Sequence, residues 1–374
     1  MRVVELSAFG KSDVGQVRDG NEDAFAIGDL DRGELWDGLE VAHAGGERGL
    51  VMVVCDGMGG ASAGEVASEL AARTVWREMR EARHTSEPEV FARVLRRAVR
   101  VANRRVFDEA QREATLRGMG TTVTCAGVVG TKLVIAQVGD SRVYVLREGV
   151  LVQVTRDQSL VSALVNAGQL HPTEASGYPA SSAILQALGV GPDVEPSLSW
   201  VDLRRGDRVL LCSDGLHGQL GDSALSVILH DAKSPQQAAE SLVAAARAAG
   251  GNDNITAVCA EITGALDKPA SEEDLPKFVE FDPREEGERA LHSTSFVVRR
   301  LAARVGIGED PGDPVVPATG THMIVPRRRN TPPTSIADVA GPARARLGGQ
   351  GLLRRLWWVP MIVVAAAIGW YLAR

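Results

Sequence analysis

No two cysteines in this sequence have CxxC spacing. The four that occur, Cys55, Cys125, Cys212 and Cys259, each sit in an apolar, strand-like run, where a free thiol packs as a small hydrophobe. Reduced core thiols in a cytosolic domain are expected, and a disulfide framework is not. An excess of basic charge is missing too: 41 Lys and Arg against 48 Asp and Glu leave a formal net charge of −7. Nucleic acid is therefore not expected as a partner, and carboxylates are left over for hard cations. Met1 to Gly15 lacks the apolar run of a secretory leader. Of His43, His84, His171, His217 and His230, none has metal-ligand spacing with another. Only His217, just after Asp214, falls near a candidate metal carboxylate.

What is present is apolar content sufficient for a sizeable core: 44% of 374 residues, room for about two domains. Residues 1–264 alternate apolar runs with turn signals. VMVVC (51–55), TTVTCAGVV (121–129), KLVIAQV (132–138), RVYVL (142–146), RVLLC (208–212) and ITAVCAEI (255–262) are short, β-branched and bounded by Gly or Asp, which predicts strands. Gly130-Thr131 and Glu148-Gly149 read as hairpin connections. Ser62 with Glu65, Ser86 with Glu89, and Ser234 with Gln237 and Pro235 predict helix starts, for helices over 63–81, 87–113 and 235–249. In the second of these, Phe91, Leu95, Ala98, Ala102 and Val106 share one face. The pattern is that of an α+β domain with helices packed on antiparallel sheets.

The character changes after Gly264. Residues 265–350 hold ten of the 17 prolines, few aromatics and little periodicity. A flexible linker over 265–351 is expected, with an amphipathic element at 289–304 to which no partner can be assigned. Leu356 to Ala373 carries no charge and is flanked by Trp357, Trp358, Trp370 and Tyr371. That run meets the lower end of the ~17–25 residues that span a bilayer, the aromatics resemble interfacial belts, and Pro360 falls in the tolerant first turn. A transmembrane helix over 352–374 is the expectation.

The chemistry is carried at strand ends. VMVVC runs into Asp56-Gly57, RVLLCS runs into Asp214-Gly215, and Asp253 stands just before ITAVCAEI. An Asp at the end of a buried strand projects into the crevice at the sheet edge, and a following Gly exposes its carbonyl as another oxygen donor. Several carboxylates in one crevice repel one another unless a cation compensates. Oxygen donors without His or Cys point to Mg2+ or Mn2+ rather than zinc. A single Asp-Gly is an ordinary turn signal; the ordered set is far more specific.

That set is RDGNED (18–23), DGMGG (56–60), GMGTT (118–122), GDSR (139–142), SDGL (213–216) and GNDN (251–254). Over residues 1–264 it resembles the metal-dependent protein phosphatase family, the type-2C group. The resemblance implies a central antiparallel β-sandwich flanked by helices, and hydrolysis of phosphoserine and phosphothreonine in proteins by in-line attack of a metal-bridging water. Carried over motif by motif, it implies that Asp56 bridges two Mn2+ or Mg2+ ions, that the Gly57 carbonyl ligates one, and that Asp214 and Asp253 ligate the other. It further implies that Glu22 and Asp23 hold metal-bound waters, that Asp140 with Asp214 forms a third metal site, and that Arg18 clamps the phosphate. Phosphorylated proteins, among them Ser/Thr kinases and their substrates, would be its partners in signalling.

Some positions depart from the family pattern. Met58 stands where many relatives have a His proton donor, leaving the general acid unassigned. Gly218 stands where the third site often has an acid or amide. Gln158 and Gln186 stand where His and Arg are frequent. Two alternatives stay open at this point: an inactive domain that binds phosphoproteins at the membrane, and a two-metal nuclease, which the absence of a basic surface disfavours. Arg354 and Arg355 precede the apolar run and only Arg374 follows it. A single-pass protein of the cell membrane with a cytoplasmic catalytic domain is expected.

Overall fold

The computed structural model describes residues 4–36, 41–44, 46–59, 63–82, 87–171, 174, 178, 183–269 and 274–281. Ser62, Ser86, the segment 289–304 and the apolar run 356–373 lie outside the described residues. Among the described residues no helix is long and apolar enough to cross a membrane.

The strands are β1 (Val4–Asp13), β2 (Asp23–Asp29), β3 (Glu34–Trp36), β4 (Val41–Ala44), β5 (Leu50–Met58), β6 (Gly120–Thr121), β7 (Val123–Val129), β8 (Lys132–Val138), β9 (Arg142–Arg147), β10 (Val150–Gln153), β11 (Ser197–Asp202), β12 (Arg208–Cys212), β13 (Ile255–Gly264) and β14 (Val279–Glu280). The α-helices are α1 (Ala63–Glu81), α2 (Pro88–Arg112), α3 (Leu160–Asn166), α4 (Asp214–His217), α5 (Asp222–Asp231) and α6 (Pro235–Ala248). One sheet runs β10-β9-β12-β13-β1-β4 and the other β14-β11-β8-β7-β5-β2-β3, with β6 paired to β5; every pairing is antiparallel.

The two sheets face each other and helices cover both outer faces. The sequence shows why. In a strand, alternate side chains point to opposite faces. In β5, Val51, Val53 and Cys55 pack with Phe91, Leu95 and Val75 of the helices α1 and α2. Leu50, Met52 and Val54 pack instead between the sheets, with Val209, Leu211 and Val258. In β13 the same alternation sends Ile255, Ala257 and Cys259 toward Leu242 and Val243 of α6. Both faces are apolar, so these strands read as unbroken hydrophobic runs. Each fully buried aliphatic side chain contributes about 1.5–3 kcal/mol of transfer free energy. The antiparallel β-sandwich flanked by helices is thus observed.

Local expectations hold at several points. Val129 pairs with Lys132 across Gly130-Thr131. Arg147 pairs with Val150 across Glu148 and Gly149, whose φ angles of 49° and 78° suit a tight two-residue hairpin. The Ser234 hydroxyl accepts the Gln237 N–H at 3.2 Å, capping α6. The apolar stripe of α2 is fully buried. The α2 start differs from expectation: Glu87 occupies the N-cap position without a side-chain cap, and Pro88 opens the helix.

The end of the domain differs as well. Met1–Pro283 forms one compact unit, and the second unit, Arg284–Arg374, lies outside the described residues. Part of the stretch expected to begin the linker at 265 packs on the domain. β14 adds to the sheet edge at β11, the Phe281 N–H donates to Leu198 O at 2.9 Å, and the Phe281 ring stacks on Trp200 with centroids 4.4 Å apart. Arg147 bridges Asp207 at 2.8 Å and donates to the Asp274 carbonyl at 2.9 Å. Proline-rich composition conceals this edge strand, because a two-residue pairing carries no periodic signal.

Candidate metal centre

At the open end of the sandwich, the register of β2 against β5 places Asp23 directly opposite Asp56. Asp56 is fixed through its backbone: its N–H donates to Thr122 Oγ1 at 3.0 Å, and its carbonyl accepts from Thr121 Oγ1 at 2.9 Å and from Thr122 N at 2.8 Å. Thr122 Oγ1 lies 2.9 Å from Ser141 Oγ, which ties the GMGTT and GDSR segments to the Asp56 turn. Gly57 is required by close approach: a Cβ there would lie 2.2 Å from Gly64 O and 2.5 Å from Glu22 O. Those contacts draw the start of α1 and the Glu22 backbone against the Asp56-Gly57 turn, and the Glu22 carboxylate lies against Gly64, where a Cβ would be 2.5 Å from its Oε2.

Asp214 and Asp253 come from the opposite sheet, and Asp140 from the connection between β8 and β9. Asp214 opens α4 at the end of β12 and lies within hydrogen-bonding reach of Asp56. Asp23 is buried; its Oδ2 accepts from Ser213 Oγ and Thr256 Oγ1, each at 2.7 Å. Asp140 is buried beside them, and its carbonyl lies 3.2 Å from His217 Nε2. Asp253 is the partner of Arg18, with Nη2 2.7 Å from Oδ2. Asn254 rivets the Arg18 loop to this edge: it accepts from Glu22 N at 2.8 Å and donates to the carbonyls of Val14 at 3.0 Å and Gly20 at 2.9 Å.

Burial and crowding set the electrostatics. Burial, then the neighbouring Asp23, Asp214 and Asp140, pushes Asp56 well above the usual carboxylate range. Burial pushes Asp23 up to about 7 against its two hydroxyl donors, and burial with Asp214 and Asp157 nearby pushes Asp140 up to about 7. Asp214 and Glu22 are raised too, in both cases chiefly by burial. His217 is pushed down to about 4 by burial and is uncharged at neutral pH. Burial also raises all four thiols, as the free, buried cysteines expected.

Asp23 Oδ1 and Asp214 Oδ1 are buried and have no hydrogen-bond partner. A buried acceptor left unpaired costs about 1–3 kcal/mol, so oxygens aimed into a crowd of carboxylates fit a cation. Among the described residues, no three His, Cys, Asp or Glu side chains are grouped to hold a metal ion as they stand. Hard ions take carbonyls and retained waters alongside one or two carboxylates. The donor set fits Mg2+ or Mn2+.

A family model described as Protein phosphatase 2C matches residues 37–247. The chain belongs to the protein phosphatase 2C family. Over 262 residues it is 36% identical to the serine/threonine protein phosphatase PstP of Mycobacterium tuberculosis, a match covering 69% of this chain and 45% of that protein. The chain thus spans less than half the length of that relative. Over 214 residues it is 37% identical to the serine/threonine phosphatase stp of Listeria monocytogenes, covering 56% of this chain and 84% of that one. Among solved structures, it resembles the catalytic domain of PstP in complex with 2 manganese ions, with a TM-score of 0.58 and 33% identity over 70% of this chain and 99% of that one. The sandwich read from the phosphatase 2C motifs is therefore the fold of its relatives.

The structure brings Asp23, Asp56, Asp140 and Asp214 into one crevice, with Glu22 and Gly57 at its side and Arg18 and Asp253 at its rim. It pairs Arg18 with Asp253, whereas the motifs give these two residues separate roles. Sequence reasoning missed the hydroxyls of Ser213, Thr256, Thr122 and Ser141 and the amide of Asn254. Ser213, Thr122, Ser141 and Asn254 lie inside the quoted motifs, but their partners are set by cross-strand register. Gln158 and Gln186, the departures from the family pattern, face each other: Gln158 Oε1 accepts from Gly139 N at 3.1 Å and from Gln186 Nε2 at 3.4 Å.

Proposed function

We propose that this protein is a metal-dependent serine/threonine protein phosphatase. One observation carries that reading: four aspartates from both sheets converge in one crevice, two with unpaired buried oxygens, and an arginine stands at its mouth. Asp56, the Gly57 carbonyl, Asp214 and Asp253 would hold two Mn2+ or Mg2+ ions, with Glu22 and Asp23 ordering water and Asp140 with Asp214 offering a third site. Bound there, the ions supply Lewis acidity and bring the pKa of water toward neutrality.

The protein's own groups do the rest. Arg18 is half-exposed, and its pair with Asp253 is worth about 0–1 kcal/mol at such a surface, so the guanidinium is free to turn onto phosphate oxygens as a two-pronged donor. Asp56, held rigidly by Thr121 and Thr122, fixes where attack begins, and water attacks phosphorus in line. His217 is neutral and lies 3.2 Å from the Asp140 carbonyl, and Met58 has no ionisable group, so neither supplies the leaving oxygen's proton. The buried thiols take no part.

Full-length protein with Mn2+ is expected to hydrolyse a phosphothreonine peptide. Arg18→Ala is expected to lower kcat/KM by about 10–100-fold, the scale of a lost charge-assisted pair, with little change in Tm. Peptide binding in saturating Mn2+ without turnover would support a binding module and sink the proposal.

We infer further that residues 1–264 with the strand after them form the phosphatase domain, that the chain beyond forms a linker, and that 352–374 anchors it in the cell membrane with the domain in the cytoplasm. Arg354 and Arg355 before an uncharged run with aromatic ends support this. Membrane-bound Ser/Thr kinases and their substrates would then be partners. Protease added to sealed cells is expected to spare the domain; its digestion from outside would reverse the assignment.

A further inference from the structure

Asp56 and Met58 are two residues apart on β5, so their side chains share one face. Met58 is half-buried and pairs with Gly120. Its side chain and that of Val190 both border the space over Gly120: a Cβ there would lie 3.3 Å from Met58 Cγ and 3.2 Å from Val190 Cγ2. Val190 is 67% exposed. A lone exposed valine is ordinary on a protein surface, but this one is held in place. Buried Asn103 accepts the Gly189 N–H at 2.9 Å and donates to the carbonyls of Gly191 and Pro192, each at 3.1 Å. Gly189 has φ of +83°, and the next residue back, Leu188, pairs with Thr121, whose hydroxyl binds the Asp56 carbonyl. The loop that presents Val190 is thereby clamped on one side to the core and on the other to the Asp56 turn.

We propose that Val190, with Met58 beneath it, forms an apolar ledge that selects phosphoprotein segments carrying an apolar side chain two positions from the phosphorylated residue. This deepens the phosphatase reading and rests on it. An extended peptide advances about 3.3 Å per residue, so its second neighbour lies ~6.6 Å from the phosphorylated position. That is also the spacing of Asp56 and Met58 along β5, and alternate peptide side chains face the same way, so the second neighbour meets the ledge. Met58, Gly120 and Val190 carry no charge, and a charged side chain seated there would lose hydration without gaining a partner. Methionine adapts to apolar groups of different shape, and the clamped loop requires no ordering on binding.

The test uses full-length protein with Mn2+, p-nitrophenyl phosphate, and phosphothreonine peptides with Leu, Ser or Asp at the second position on either side. Wild type is expected to prefer Leu over Ser at one of those two positions by about tenfold in kcat/KM, the scale of a few methylenes in an apolar pocket. Val190→Ser is expected to reduce that preference to within about twofold, and Val190→Leu to keep it, which a general structural defect would not do. If wild type shows no preference at either position, or Val190→Ser retains it, the ledge is refuted while phosphatase activity stands. If wild type hydrolyses neither p-nitrophenyl phosphate nor any peptide, the phosphatase reading fails and the ledge falls with it.

Discussion

Asp56→Asn is expected to lower kcat by at least about 10²–10³-fold, the scale of losing one preorganised electrostatic partner, and to raise the Tm of the metal-free protein. The two effects share a cause. Asp56 lies opposite Asp23, within hydrogen-bonding reach of Asp214, and its carboxyl is driven well above its ordinary range by burial and by Asp23, Asp214 and Asp140. Without a cation these groups repel. An uncharged amide of the same shape relieves that repulsion but offers a poorer oxygen for bridging two cations. The backbone bonds that hold this turn, through Thr121 and Thr122, do not involve the side chain, so the fold is retained. Steady-state kinetics with saturating Mn2+ and thermal melts with chelator read the two parts separately. Wild-type kcat, or a lowered metal-free Tm, would contradict the account.

Metal-free protein is expected to lose stability as pH rises from about 4 to 7, and saturating Mn2+ is expected to flatten that slope. Asp23 and Asp140 titrate at about 7 in the fold, raised chiefly by burial, whereas an unfolded Asp titrates near ~3.9. Between those values the folded state keeps protons that the unfolded state has released, so stability is full below the ordinary carboxylate range and is lost as pH rises through 7. The limiting slope is about 1.4 kcal/mol per pH unit for each retained proton. His217 works the other way: its folded value of about 4 makes stability rise with pH up to the ordinary His range near ~6.5. Two carboxyls outweigh one imidazole, so the net slope stays negative up to about pH 7, where both carboxyls release their protons in the fold as well and the decline levels off. A bound cation replaces the protons and removes the dependence. A Tm that rises with pH over this window in chelator would rule the cluster out as described.

Much of the site was legible because its chemistry lies at strand ends. Asp56, Asp140, Asp214 and Asp253 each follow or precede an apolar run long enough to be recognised, and an Asp beside Gly at such a place is exposed to the crevice wherever the strand sits in the sheet. The sandwich was legible for a related reason: runs such as 51–55 and 132–138 are apolar on both faces, which requires packing on both sides. Elements without such a signal were not seen. β2 is interrupted by Gly28 and begins with a buried Asp; α4 spans a single turn; β14 is a two-residue edge pairing inside a proline-rich stretch.

The sequence alone determined that runs such as 51–55, 132–138 and 255–262 are buried strands, and that candidate oxygen ligands for hard cations recur beside them in a fixed order. These depend on local periodicity and residue chemistry. Only the tertiary structure decided that Asp23 stands across from Asp56, that Ser213 and Thr256 reach Asp23 from the other sheet, that Arg18 rests on Asp253, that Asn103 holds Val190 beside Met58, and that residues 274–281 belong to the domain. Each of these is a contact between segments far apart in the chain. A strand's sequence encodes which face is apolar, but its partner and register follow from how all the strands pack together, and that register decides which polar side chains meet.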